Sequence, residues 1–120
     1  MSVRAVRGAV QLETDSKEEM DRHIPALLQQ MLESNHLMHE DVISALFTVT
    51  ADLKSEFPAA AARRGGWVDI PLMCAVEIAV PGALPRTVRV MLHVDSALPK
   101  EKIQHIYRGG ATVLRPDLSS

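Results

Sequence analysis

The chain has 120 residues, enough for one hydrophobic core and too few for two. Its 13 basic and 15 acidic residues leave a net charge of −2 and no basic run longer than Arg63-Arg64, which argues against a nucleic-acid binder. One cysteine, Cys74, excludes an intrachain disulfide and a multi-cysteine metal site. With no membrane-length apolar run and no secretory signal at the N-terminus, the sequence reads as one soluble, cytoplasmic domain over 1–120, with about 116–120 a flexible tail.

Val3 to Leu12 alternates as a strand does. Val3, Ala5, Arg7 and Ala9 share one face, and Arg4, Val6, Gly8, Val10 and Leu12 the other. Arg7 therefore stands among small apolar neighbours. A guanidinium carries five donors and a persistent charge, so a half-buried one must meet an anion.

Ser16-Lys17-Glu18-Glu19 is a capping box, with Ser16 as N-cap and Glu19 three residues on. Met20, Ile24, Leu27, Leu28, Met31 and Leu32 then form one helical stripe. Pro25 interrupts it and predicts a kink; Asn35, tolerant of the left-handed conformation, predicts the C-terminus. His36 and His39 follow in a polar loop with no third metal ligand nearby, and neither they nor His23, His93 and His105 receive a role.

Val42 to Thr50 predicts the second strand. A turn over Asp52 to Pro58 leads into a short helix, Ala59 to Arg64, with Pro58 at its first position and Gly65-Gly66 as its stop. Val68 to Val80 predicts a strand pair broken at Pro71. Glu77 is the only charge between Pro71 and Arg86, and a carboxylate in an apolar strand needs a partner, for which the arginines are the candidates. Cys74 and Glu77 have opposite strand parity, so they line one pocket only if the chain bends or bulges between them.

Arg86 to Val94 is the next strand, apolar at Val88, Val90, Leu92 and Val94. Thr87, Arg89, Met91 and His93 take the other face, so Arg89 repeats the situation of Arg7. Arg86, of opposite parity and at the edge, is expected to face solvent and to be dispensable. Leu98-Pro99-Lys100-Glu101 predicts a helix start, with Ile103, Ile106 and Tyr107 on its apolar side and Gly109-Gly110 at its end. Ala111 to Leu114 predicts a terminal strand. The element order predicts an α+β fold: a mixed β-sheet with helices packed on one face. Too few helices remain to cover the second face, which predicts an oligomer packing sheet against sheet.

No glycine-rich phosphate loop follows a strand, and no nucleophile elbow or metal cluster is present in the sequence. The charged and polar residues left over are Arg7, Arg63, Arg89, Arg115, Glu77, Cys74 and Tyr107. They suit a small polycarboxylate bearing hydroxyl or ether oxygens. Catalysis by such a set would be electrostatic, with fixed cations aimed at developing negative charge. A non-catalytic oligomeric module that binds a small polycarboxylate metabolite is the alternative, although such a module has little use for Glu77 beside Arg89.

Several segments, in order, carry a family resemblance: Arg4-Ala5-Val6-Arg7-Gly8-Ala9, Phe57-Pro58-Ala59-Ala60-Ala61-Ala62-Arg63, Pro71 to Glu77, Arg86-Thr87-Val88-Arg89-Val90, His105-Ile106-Tyr107 and Val113 to Leu118. The chain resembles the monofunctional chorismate mutases of the trimeric, mixed α/β class, not the all-helical class. The resemblance implies rearrangement of chorismate to prephenate, a pericyclic step toward phenylalanine and tyrosine that needs no cofactor or metal. It implies a homotrimeric pseudo-barrel in which sheets pack together and sites lie between subunits.

By resemblance, Arg89 donates to the ether oxygen and a carboxylate, Arg7 binds a carboxylate, and Glu77 accepts from the ring hydroxyl beside Cys74. Tyr107 contacts the side-chain carboxylate and Phe57 forms an apolar wall. Arg63 and Arg115 stand near the mouth and the tail, and Met73 and Leu114 complete the substrate contacts. Ala60 replaces a lysine, and Met73 a threonine, of some relatives, and the Arg63-Arg64-Gly65-Gly66 loop is a residue shorter than in some.

Overall fold

The computed structural model describes residues 1–114. The expected tail at about 116–120, and Arg115, lie outside the described residues. Five strands form one mixed sheet: β1 (Ser2–Gln11), β2 (Val42–Val49), β3 (Leu72–Val76), β4 (Thr87–Ser96) and β5 (Ile106–Arg108), in the order β3-β2-β4-β1-β5. β4 is antiparallel to both β1 and β2; β5 runs parallel to β1, and β3 parallel to β2.

Strand register sorts side chains into rows of opposite character. Gly8, Val90, Phe47 and Cys74 stand opposite one another, as do Val6, Leu92, Ala45 and Leu72. These rows face α1 (Lys17–Ser34) and α2 (Pro58–Arg64). Phe47, Leu92, Val88 and Val94 are sealed there with Met20, Ile24, Leu28 and Met31 of α1. Each such side chain contributes about 1.5–3 kcal/mol through burial. The alternate rows, Ala9–Arg89–Thr48–Ala75 and Arg7–Met91–Leu46–Met73, lie on the other face. No helix covers that face among the described residues, and Leu46 and Met73 are exposed on it.

Sequence dictates how close α1 comes. A Cβ at Gly8 would collide with Met31 Sδ, so the helix sits directly on β1. Ser16 Oγ accepts from the Glu19 N–H at 3.1 Å, which is half of the predicted capping box. The Glu19 carboxylate reaches past Ser16, and its Oε1 accepts from the Glu13 N–H at 2.9 Å. α1 passes through Pro25, against which Gly65 packs so tightly that a Cβ there would come within 2.9 Å of the proline ring. Arg64 clamps α2 to α1 through Asp21 at 2.6 Å and also meets Glu56 at 3.1 Å.

Five expectations need correction. Asn35 ends α1 but is right-handed (φ −115); His36, one residue later, takes the left-handed conformation at φ 55. Asn35 is instead buried, its side chain donating to Met31 O and Gln104 O and accepting from the Gln104 N–H. The segment 68–80 holds one strand, not two, because only Leu72–Val76 finds a partner in β2. The predicted helix after Leu98 is a single 3-10 turn, Lys100–Lys102, and Ile106–Arg108 forms β5 because β1 has a free edge there. The predicted strand Ala111–Leu114 belongs to a 3-10 segment, Gly109–Leu114.

Arg86 is the last correction, since it is not a solvent-facing appendage. It is half-buried at φ 50, its N–H donates to the Asp52 carboxylate at 3.0 Å, and its Nε donates to Leu12 O at 3.0 Å. It locks the turn that feeds β4 to the end of β1.

Candidate active site

A cleft of ≈ 310 Å³ opens on the helix-free face of the sheet. β1 supplies Arg7, Gly8 and Ala9; β2 supplies Leu46 and Thr48; β4 supplies Arg89, Val90 and Met91; β5 supplies Tyr107. Four strands thus hold the floor rigid while the charged groups stand up from it.

Arg89 sits at the centre. Its Nε lies 3.0 Å from Glu77 Oε2. That nitrogen is fully buried, yet its N–H is aligned with no acceptor, so the pair is an ion contact without a directed hydrogen bond. Glu77 stands just beyond β3, where its N–H donates to Val49 O at 2.9 Å and prolongs the β2–β3 pairing. Thr48 Oγ1 donates to the same Glu77 Oε2 at 2.6 Å. The Glu77 carboxylate is therefore anchored through one oxygen by Thr48 and Arg89. Arg7 is exposed at the cleft wall, and its N–H donates to His105 Nδ1 at 3.0 Å.

Other predicted residues gather elsewhere. Phe57, 71% exposed, and Cys74 line a second cleft of ≈ 480 Å³ with Leu53, Pro58 and Val76. Cys74 shares the Phe47 row, so it points to the helix side of the sheet, away from Arg89. Neither a bend nor a bulge brings Cys74 and Glu77 together within one chain: the β2–β3 register runs unbroken from Leu72 to Val76.

The second cleft is braced from below. Asp15 accepts from the Lys54 and Ser55 N–H groups at 3.1 and 3.0 Å, and Glu56 Oε1 accepts from the Phe57 N–H at 3.0 Å. Burial opposes ionisation of Asp15, but hydrogen bonds from Ser55 and Lys54 outweigh it and hold the carboxyl below its ordinary value.

Arg63 is exposed on the last turn of α2 and lines neither cleft. Arg64 is engaged by Asp21 and Glu56, whereas the Arg63 side chain bonds to none of the described residues. Met73 is exposed at the β3 edge, level with Leu46, and Leu114 is half-buried at the end of the 3-10 segment. Sequence reasoning missed Thr48. Its strand parity with Leu46 was readable, but its place opposite Arg89 follows only from the β2–β4 register.

Two arginines and one anchored carboxylate on a sheet face that no helix covers among the described residues define an α+β protein with a cleft suited in size and charge to a small anionic molecule. Known proteins narrow the class. The sequence model of the family described as chorismate mutase type I matches residues 3–118. Chorismate mutase AroH of Bacillus subtilis (strain 168) is 41% identical over 120 residues, spanning 99% of this chain and 94% of that protein. Chorismate mutase AroH of Thermus thermophilus is 43% identical over 119 residues, spanning 98% of each. The solved chorismate mutase from Clostridium thermocellum superposes with a TM-score of 0.88 at 45% identity, covering 91% of this chain and 97% of that one. The chain belongs to the type I chorismate mutase family.

Proposed function

We propose that the protein is an isomerase that converts chorismate to prephenate in aromatic amino-acid biosynthesis, in the cytoplasm and as a homotrimer. The reaction breaks one C–O bond and forms one C–C bond within a single molecule, so atoms and electrons balance without a co-reactant. The protein has to hold the compact reactive conformer and stabilise charge on the ether oxygen as its bond breaks. Full-length similarity to chorismate mutases favours this over a module that only binds its ligand.

The Arg89 guanidinium on the cleft floor, held at its buried Nε by the Glu77 carboxylate 3.0 Å away and otherwise partly open to the cleft, carries the assignment of the site. Its terminal nitrogens are the preorganised donors offered to an oxygen. Arg89 is assigned to the ether oxygen, Arg7 and Tyr107 to carboxylates, and the outer oxygen of Glu77 to the ring hydroxyl. Arg63, Arg115, Met73 and Leu114 are assigned to the rim. Phe57 and Cys74 are assigned to a neighbouring copy's site. Two observations support that division: the two clefts lie on opposite sides of one sheet, and the second is lined by Cys74, Ala75 and Val76 of the edge strand β3. The exposed side chains of Leu46, Met73, Val76 and Ile78 along that edge give a second copy an apolar surface to cover. Mixing purified protein with chorismate and following loss of its absorbance tests the activity; a rate equal to buffer from assembled protein would overturn it.

A further inference from the structure

We infer that His105 is a positioning residue for Arg7 and Tyr107, using Nδ1 as a substitute for a missing backbone acceptor. The inference rests on the proposed assignment of those two residues to substrate carboxylates. β5 pairs with β1 through only three positions, from Gly8 opposite Ile106 to Val10 opposite Arg108. The ladder stops one residue short of Arg7. There the Arg7 N–H donates to His105 Nδ1 at 3.0 Å, a bond between residues 98 positions apart.

The imidazole thus extends the β1–β5 pairing by one rung and fixes the backbone from which Arg7 projects. The same residue lies two positions from Tyr107, which lines the same cleft as Arg7. An N–H can donate to Nδ1 only if that nitrogen keeps its lone pair, so the ring proton resides on Nε2 in this arrangement. Without the acceptor, β5 would keep its place through three backbone positions and the Asn35–Gln104 bonds, but the β1 backbone at Arg7 would lose its own tie to it. Arg7 and Tyr107 would then lose the fixed separation that matches one ligand, and misplacement on the scale of an ångström is costly in such sites. His105 need not touch the ligand for this.

The test uses three substitutions in the full chain. Asparagine attaches its amide oxygen to Cγ, where histidine carries Nδ1; glutamine carries its oxygen one bond farther out, and leucine has none. His105→Asn should keep KM for chorismate within about twofold of the parent, while His105→Gln and His105→Leu should raise it about three- to tenfold, the scale of one hydrogen bond. In all three, kcat should change less than about twofold, because Arg89 and Glu77 are untouched and the lost interaction is one of binding. Should His105→Leu fail to fold, the Asn–Gln contrast decides: equal KM values for those two overturn the inference. Arg7→Ala is measured alongside. If it raises KM while His105→Gln does not, the inference fails and the site assignment stands; if Arg7→Ala leaves KM unchanged, the assignment of Arg7 fails and takes this inference with it.

Discussion

Arg89 is a guanidinium where strand packing alone would place a smaller polar residue. Val88 and Val90 on either side are buried in the core, while Arg89 projects from the opposite face with its Nε buried. The Glu77 carboxylate at 3.0 Å compensates the buried Nε, and on the proposed assignment the outer end of the guanidinium is what meets the ligand. Arg89→Ala should lower kcat at least roughly 10²-fold, the scale for removing one preorganised donor to a developing oxyanion. A folded variant with near-parental kcat would refute the role. Glu77 separates charge from hydrogen bonding: Glu77→Gln, which still accepts, should be milder than Glu77→Ala, and equal losses would mean that charge is what matters. The pairing of Arg89 with Glu77 was legible because charge inside an apolar alternation demands a partner; Arg7, read by the same rule, is exposed and meets no carboxylate among the described residues. Thr48 was not legible, because threonine is an ordinary strand residue until the register sets it opposite Arg89.

Among the elements, α1 was the most legible, since a cap and a long 3.6-residue stripe agree over its whole length. Its N-terminus also makes a prediction. The Glu13 N–H, chiefly, holds the Glu19 carboxyl below its ordinary value of 4.5; burial opposes this, and His23 and Arg22 add to it. Folding therefore favours the charged form. The stability it contributes is complete above about pH 4.5 and fades as pH falls through the lower folded value. Glu19→Gln should melt at a lower temperature than the parent near neutral pH and show a shallower loss of melting temperature toward pH 3. Parallel melting curves for the two proteins would contradict this.

The C-terminal third was read less well. Ile103, Ile106 and Tyr107 fit a helical spacing, but three residues suffice for an edge strand when β1 offers unpaired backbone. Arg86 was misjudged for a related reason: its φ of 50 and its bond to Leu12 O are set by the turn that meets β1, which no local pattern encodes.

For the molecule as a whole, strand alternation and the shortage of helices already implied a mixed sheet with one bare face. The strand order β3-β2-β4-β1-β5 was not legible, because it depends on which strands share an edge rather than on any single segment. The bare face carries Leu46 at its middle, 39% exposed, in register with Met91 and Met73. On the proposed homotrimer, Leu46→Glu should shift the solution mass from trimer toward monomer in light scattering while leaving the far-ultraviolet circular dichroism unchanged. A variant that stays trimeric would place the subunit contact elsewhere.

The opposed clefts have a kinetic consequence on the proposed assembly. A lone chain carries two half-pockets and no whole one, so turnover appears only when chains meet. By mass action, dilution through the dissociation range would lower activity per chain, and substrate bridging two copies would oppose that loss. Expression level would then act as a threshold: below it the chains are folded but idle, and above it each new chain completes a neighbour's pocket as well as its own.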